Sequence, residues 1–81
     1  IPLIEALKLK VPVICSDIPI FREIADDSVL YFKKQNEINL FEKMKELIQR
    51  DELSSKLVLK GIERVKKYNR YNFIKDIEKI Y

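Results

Sequence analysis

Apolar positions in this chain recur first at helical spacing, then as a continuous run, and then at helical spacing again. Pro2 suits the first turn of a helix, where its missing N–H costs nothing, and Leu3, Ala6 and Leu7 share one face as far as Leu9. Glu5 and Lys8 fall on the opposite side. Pro12 disfavours helical geometry at Val11, so Val13-Ile14-Cys15 reads as a buried strand with the proline at its entry. The polar loop Ser16-Asp17-Ile18 follows, and Pro19 opens a short helix that turns Ile20, Phe21 and Ile24 inward. Val29-Leu30-Tyr31-Phe32 is a second strand by its β-branched and aromatic content.

The second half is helical throughout. Asn36 or Asn39 can cap a helix whose Leu40, Phe41, Met44, Leu47 and Ile48 form one stripe. Asp51 and Glu52 favour the start of another, with Leu53, Leu57, Val58, Ile62 and Val65 on its buried face and Gly61 marking a close helix contact. Tyr68-Asn69-Arg70 interrupts that pattern. Asn72 then caps a last helix in which Phe73, Ile74, Ile77, Ile80 and Tyr81 share a face.

The expected fold class is therefore α/β: two parallel strands with about five helices, a partial Rossmann-like unit. The helix between the strands precludes a hairpin, and a parallel crossover is the economical connection. Two strands leave both sheet edges and both faces in need of cover, so more strands are expected from upstream chain or from a second copy. The expected organisation is a single unit over residues 1–81, with a strand–helix part at 1–34 and a helical part at 35–81.

Composition narrows the function classes. At 81 residues, 47% hydrophobic and 36% charged, the chain is too apolar for disorder, and it has no apolar run long enough for a membrane span. One cysteine excludes an internal disulfide, and the absence of histidine removes the commonest metal ligand and acid–base group, so no metal is expected. The net charge of +3 is spread over helices with alternating signs. Lys56, Lys60, Arg64, Lys66 and Lys67 read as a solvated helix face, interrupted by Glu63 and without a nucleic-acid motif, and no nucleic-acid partner is expected. The chain opens on Ile1-Pro2-Leu3-Ile4-Glu5 with no initiator methionine and is expected to be a piece of a longer protein.

Four segments together carry a resemblance: Pro2-Leu3-Ile4-Glu5-Ala6, Val11 to Asp17, Pro19 to Ile24, and Val29 to Phe32. They are similar to the C-terminal half-domain of group 1 glycosyltransferases, also called family 4. Lys10 departs from that pattern, which commonly has glycine there. The resemblance implies a GT-B architecture of two Rossmann-like domains facing across a cleft, with the C-terminal one holding a nucleotide-sugar donor. It implies retaining sugar transfer of the hexosyltransferase type, without a cofactor or a required metal. The family's signature is a pair of glutamates around a glycine-rich turn. Glu5 matches the second of them and would accept hydrogen bonds from the donor's ribose hydroxyls.

By the same resemblance the Leu3 amide would face the donor phosphates, since the first N–H groups of a helix point outward and Pro2 has none. Glu23 stands where the family has a glutamate beside the donor loop. Ser16 and Asp17, at the carboxyl end of the first strand, are expected to line the cleft. The first signature glutamate, the basic residues that neutralise the diphosphate and the N-terminal acceptor domain would all lie upstream, so the isolated chain is expected to be inactive and to hold no catalytic residue.

The plainer readings keep Glu5 as a solvated helix residue, Arg22 and Glu23 as an exposed pair, Cys15 as a small buried hydrophobe, and Tyr68, Tyr71, Phe73 and Tyr81 as packing residues. The alternative function is a small helical protein-interaction module without a catalytic role. Uncovered edges and faces predict self-association or a swapped contact. The intact enzyme is expected to be cytoplasmic, with peripheral association at the inner face of an anionic membrane left open.

Overall fold

The computed structural model describes residues 2–80, including all their side chains except those of 76 and 78–80. The elements run α1 (Leu3–Lys8), β1 (Ile14–Ser16), α2 (Pro19–Ala25), β2 (Leu30–Phe32), α3 (Glu37–Gln49) and α4 (Asp51–Ile80). β1 and β2 pair in parallel, with Ile14 opposite Leu30, Cys15 opposite Tyr31 and Ser16 opposite Phe32. The fold is α/β with two parallel strands, as the periodicity predicts, and each strand boundary lies within a residue of its expected place.

The helix count differs. Four helices form among the described residues, because α4 runs unbroken through Tyr68-Asn69-Arg70 and Asn72 caps nothing. The reason lies in the phase of the apolar positions. Counting 100° per residue, the face carrying Leu57, Gly61 and Val65 is followed by a stripe at Phe73, Ile74 and Ile77 rotated well over a quarter turn from it. A change of apolar face imitates a break in sequence, whereas the backbone meets no proline or glycine after Gly61, and Tyr, Asn and Phe weaken a helix too little to end it. Tyr68, Tyr71, Phe73, Ile74 and Ile77 are exposed rather than packed. The side chain of Ile80, and Tyr81 altogether, lie outside the described residues.

A compact core gathers at the α1–α2–α4 junction. Ile4, Leu7, Ala25 and Val29 are buried there, with Leu3, Val13, Cys15, Ile24, Tyr31 and Val65 packed around them. Gly61 brings α4 onto α1: a Cβ built on it would sit 3.3 Å from Leu7 Cδ2. The close helix contact expected at that glycine is present.

Two expected faces bury less than the pattern suggests. Ile20 is exposed, while Phe21 and Ile24 are half-buried. Of the apolar stripe of α3 only Leu40 and Leu47 are half-buried, and Phe41, Met44 and Ile48 lie in the open because α3 meets the sheet and α4 along one edge of its stripe. Asn36 caps α3 by accepting from the Asn39 amide at 2.9 Å, and Asn39 Oδ1 accepts in turn from the Lys33 amide at 2.7 Å. Of the two candidates Asn36 is the cap, while Asn39, at the third position of the helix, ties α3 back to the end of β2.

Turns in the strand–helix part are forced into left-handed geometry without glycine. Lys10 closes α1 at φ 59°, its N–H donating to Leu7 O at 3.2 Å, so a lysine serves where a glycine is usual. Asp26 leaves α2 at φ 50° and ψ −120°, a conformation that suits glycine. Such a residue costs on the order of 1–3 kcal/mol and persists only when its surroundings over-determine it. They do so here: Tyr31 Oη donates to Asp26 O at 2.6 Å, and Ser28, itself buried, donates from Oγ to Ala25 O at 2.6 Å and from its amide at 3.0 Å. Asp26→Gly should raise the melting temperature by relieving about 1 kcal/mol, and Asp26→Val should lower it.

Candidate functional site

The site is built at the carboxyl end of β1. Helix α1 packs on α2 and α4 and leads through residues 9–13 into β1, and the Ser16–Ile18 loop emerges at the carboxyl end of that strand. Helix α1 begins after Pro2 with no side-chain cap. Its first N–H groups therefore have no partner in the preceding turn, which is general for helix starts. Glu5, in the first turn, is exposed and among the described residues pairs with Lys8 alone, at 3.3 Å on the same helix. An exposed pair of this kind contributes little to stability.

The loop is held by its own backbone and by one ion pair. The Asp17 amide donates to Phe32 O at 2.8 Å and the Ile18 amide to Ser16 O at 2.9 Å. Arg22 grips Asp17 through Nε to Oδ1 at 2.7 Å and Nη2 to Oδ2 at 2.8 Å, a two-pronged contact that fixes the carboxylate plane. The guanidinium carbon lies 4.0 Å from the centroid of the Tyr31 ring, which supports it from below. Hydrogen bonding from Arg22 holds the Asp17 carboxyl below its ordinary range, so it is a carboxylate at neutral pH. Burial pushes the Tyr31 phenol up, keeping it a neutral donor to the Asp26 carbonyl.

Arg22 pairs with Asp17 and not with its neighbour Glu23, the partner expected from sequence. A signal for this existed. With Ile18 as the residue before helical Pro19, Asp17 and Arg22 occupy the two positions that a hydrophobic staple bridges at a helix start, here filled by opposite charges.

Ser16, Asp17 and Arg22 thus share one end of β1. Glu23 does not join them: it lines a groove of about 370 Å³ between α2 and α4 together with Ile24, Arg64 and Tyr68. Burial, partly offset by the nearby Arg22 charge, raises the Cys15 thiol above its ordinary value, in keeping with a packing role. Among the described residues no three His, Cys, Asp or Glu side chains gather where they could hold a metal ion. No helix of the described residues is long and apolar enough to cross a membrane.

Two basic residues read as solvated are tertiary contacts. Arg64 donates to Ile24 O from Nε at 3.0 Å and Nη2 at 2.8 Å, and to Glu23 O from Nη2 at 2.9 Å. Lys60 meets Asp27 at 2.8 Å. These partners stand 33 to 41 positions apart in sequence, and no local pattern carries them.

A parallel pair of strands joined through a helix, with further helices packed around it and a polar loop at the carboxyl end of β1, is a partial α/β unit of the Rossmann-like class. The profile of glycosyl transferases group 1 matches residues 1–64, and the chain belongs to that family. A comparison with curated proteins and one with solved structures each find no match.

Proposed function

We propose that this chain is the C-terminal segment of a family 4, GT-B-type retaining glycosyltransferase and forms part of the face that binds a nucleotide-sugar donor. Residues 1–34 carry the donor side and 35–81 the helical support. The observation that carries the reading is the placement of Glu5. Within a chain whose first 64 residues match the family, its carboxylate stands exposed in the first turn of α1, paired among the described residues with the exposed ammonium of Lys8. A carboxylate so placed can accept both hydroxyls of a ribose. The outward amides at the start of α1, Leu3 among them, would face the diphosphate, whose negative charge grows as the sugar departs. Ser16 and Asp17 border the same end of the strand.

Transfer of a hexose from the donor to an acceptor then needs the opposing acceptor domain, supplied upstream in the intact protein. Catalysis in a cleft requires both faces assembled, so the isolated chain is inactive. The same partner, or a second copy, would complete the sheet beside β1. No cofactor or metal enters this reading, and the intact enzyme would act in the cytoplasm, with a peripheral stay at an anionic membrane surface. The exposed Phe41, Met44 and Ile48 on α3 favour a second reading, a helical protein-interaction module.

One measurement separates the two. In the full-length protein, Glu5→Ala should weaken binding of UDP, GDP or ADP about tenfold, roughly 1.5 kcal/mol for a lost charged hydrogen-bond acceptor. Unchanged calorimetric affinity for all three would favour the interaction module.

A further inference from the structure

Helix α2 spans only seven residues, too short to hold itself, so its position is set by what its ends touch. At its start stands the Asp17–Arg22 pair. At its finish every one of the last four carbonyls has a partner. Arg22 O accepts from the Asp26 amide at 2.9 Å, and Ala25 O accepts from Ser28. Glu23 O and Ile24 O accept from Arg64, which reaches across from α4. A positive group at a helix C-terminus also opposes the negative end of the helix dipole. The orphan carbonyls that a helix end normally leaves to water or to its own next turn are here closed by a residue forty positions away.

We propose that Arg64 is a positioning residue for the donor side: it anchors α2 from α4, and through α2 it sets the placement of Arg22 and of the Asp17 carboxylate that Arg22 grips. The inference rests on the donor-side reading of Asp17 given above. Three features make the anchor specific. The planar guanidinium spans two successive carbonyls, which a lysine ammonium cannot do with the same geometry. Gly61, one turn before Arg64, lets α4 come close enough to α1 for Arg64 to reach α2. Lys60 adds a second tie one turn earlier, to Asp27 beyond the end of α2. The helical part thereby sets the geometry of the strand–helix part without touching a substrate.

The test uses the full-length protein with Arg64→Met and Arg64→Lys, read by amide hydrogen exchange and by calorimetric binding of UDP, GDP and ADP, with Glu5→Ala as the control. In Arg64→Met the amides of Asp17, Phe21 and Arg22, bonded to Phe32 O and Ile18 O, should exchange about tenfold faster, while those of α3 keep their rates. Affinity for the bound nucleotide should fall about fivefold, and Arg64→Lys should restore part of both effects. Unchanged exchange at the start of α2, or a uniform rise across the chain, overturns the inference, because either reduces Arg64 to a local or a merely stabilising contact. Loss of nucleotide affinity in Glu5→Ala but not in Arg64→Met overturns it while the donor reading stands. If no nucleotide binds the wild type, or neither variant changes affinity, the donor reading fails and takes the inference with it.

Discussion

Leu7→Ala should cost about 2–5 kcal/mol, a large fraction of the stability of a fold this size. Leu7 is only 3% exposed and stands where α1, α2 and α4 meet, with Ile4, Ala25 and Val29 beside it in the same buried cluster. Truncating it removes apolar burial and leaves a cavity that the surroundings cannot fill. Across from it on α4 stands Gly61, which has no side chain to collapse inward, and α1 is tied at its end by Lys10 in left-handed geometry. A chemical unfolding curve of the full-length protein should show the transition of this domain moving to lower denaturant. A shift of less than 1 kcal/mol would mean that the three helices repack, and that their junction is not the core described above.

The converse substitution acts on the same contact from the other side. Gly61→Leu should destabilise by about 3 kcal/mol, the upper part of the range for overpacking a filled interior. Even a lone Cβ would meet Leu7 Cδ2 at 3.3 Å, and a longer side chain has nowhere to go except by separating α1 from α4. Separation would also draw Arg64 away from Glu23 O and Ile24 O, so the loss should reach α2. Gly61→Ala is a milder test, since the gain in helix propensity of about 1 kcal/mol offsets a small displacement of Leu7. Pairing Gly61→Leu with Leu7→Ala should recover part of the loss, because the new side chain occupies the space vacated. Thermal unfolding of the two single variants and the double variant gives the coupling, and strict additivity would show that the residues do not share one space.

Much of this architecture was legible before any coordinate. Pro12 and Pro19 bracket β1 and its loop by steric rules that act between neighbours, and the β-branched and aromatic run at Val29–Phe32 marks β2 in the same way. Gly61 announced a close approach because nothing else justifies a glycine inside a helix. The reading failed where one pattern has two causes. The turn of the apolar stripe around α4 looks like a helix break, and the stripe of α3 looks buried, yet Phe41 is 67% exposed. Periodicity reports which residues share a face; it cannot report whether anything lies against that face.

For the candidate site the division is similar. Glu5 and Glu23 stand out by their match to the family pattern, and Ser16 and Asp17 by their place at the carboxyl end of a strand, which its flanking prolines mark in the sequence. The pairing of Asp17 with Arg22 was within reach too, through its spacing across a helix start. Arg64 was not, because its carbonyl partners are backbone groups that every sequence possesses and that forty intervening residues bring within reach. Local sequence suffices for the order of elements from α1 to α3, for the start of α4 and for the polar loop at the end of β1, since these follow from propensity and contacts between near neighbours. Only the tertiary structure decided which face of each helix is covered, that α4 is one continuous rod, and that Arg64 closes the end of α2, since these depend on long-range packing that no local period encodes.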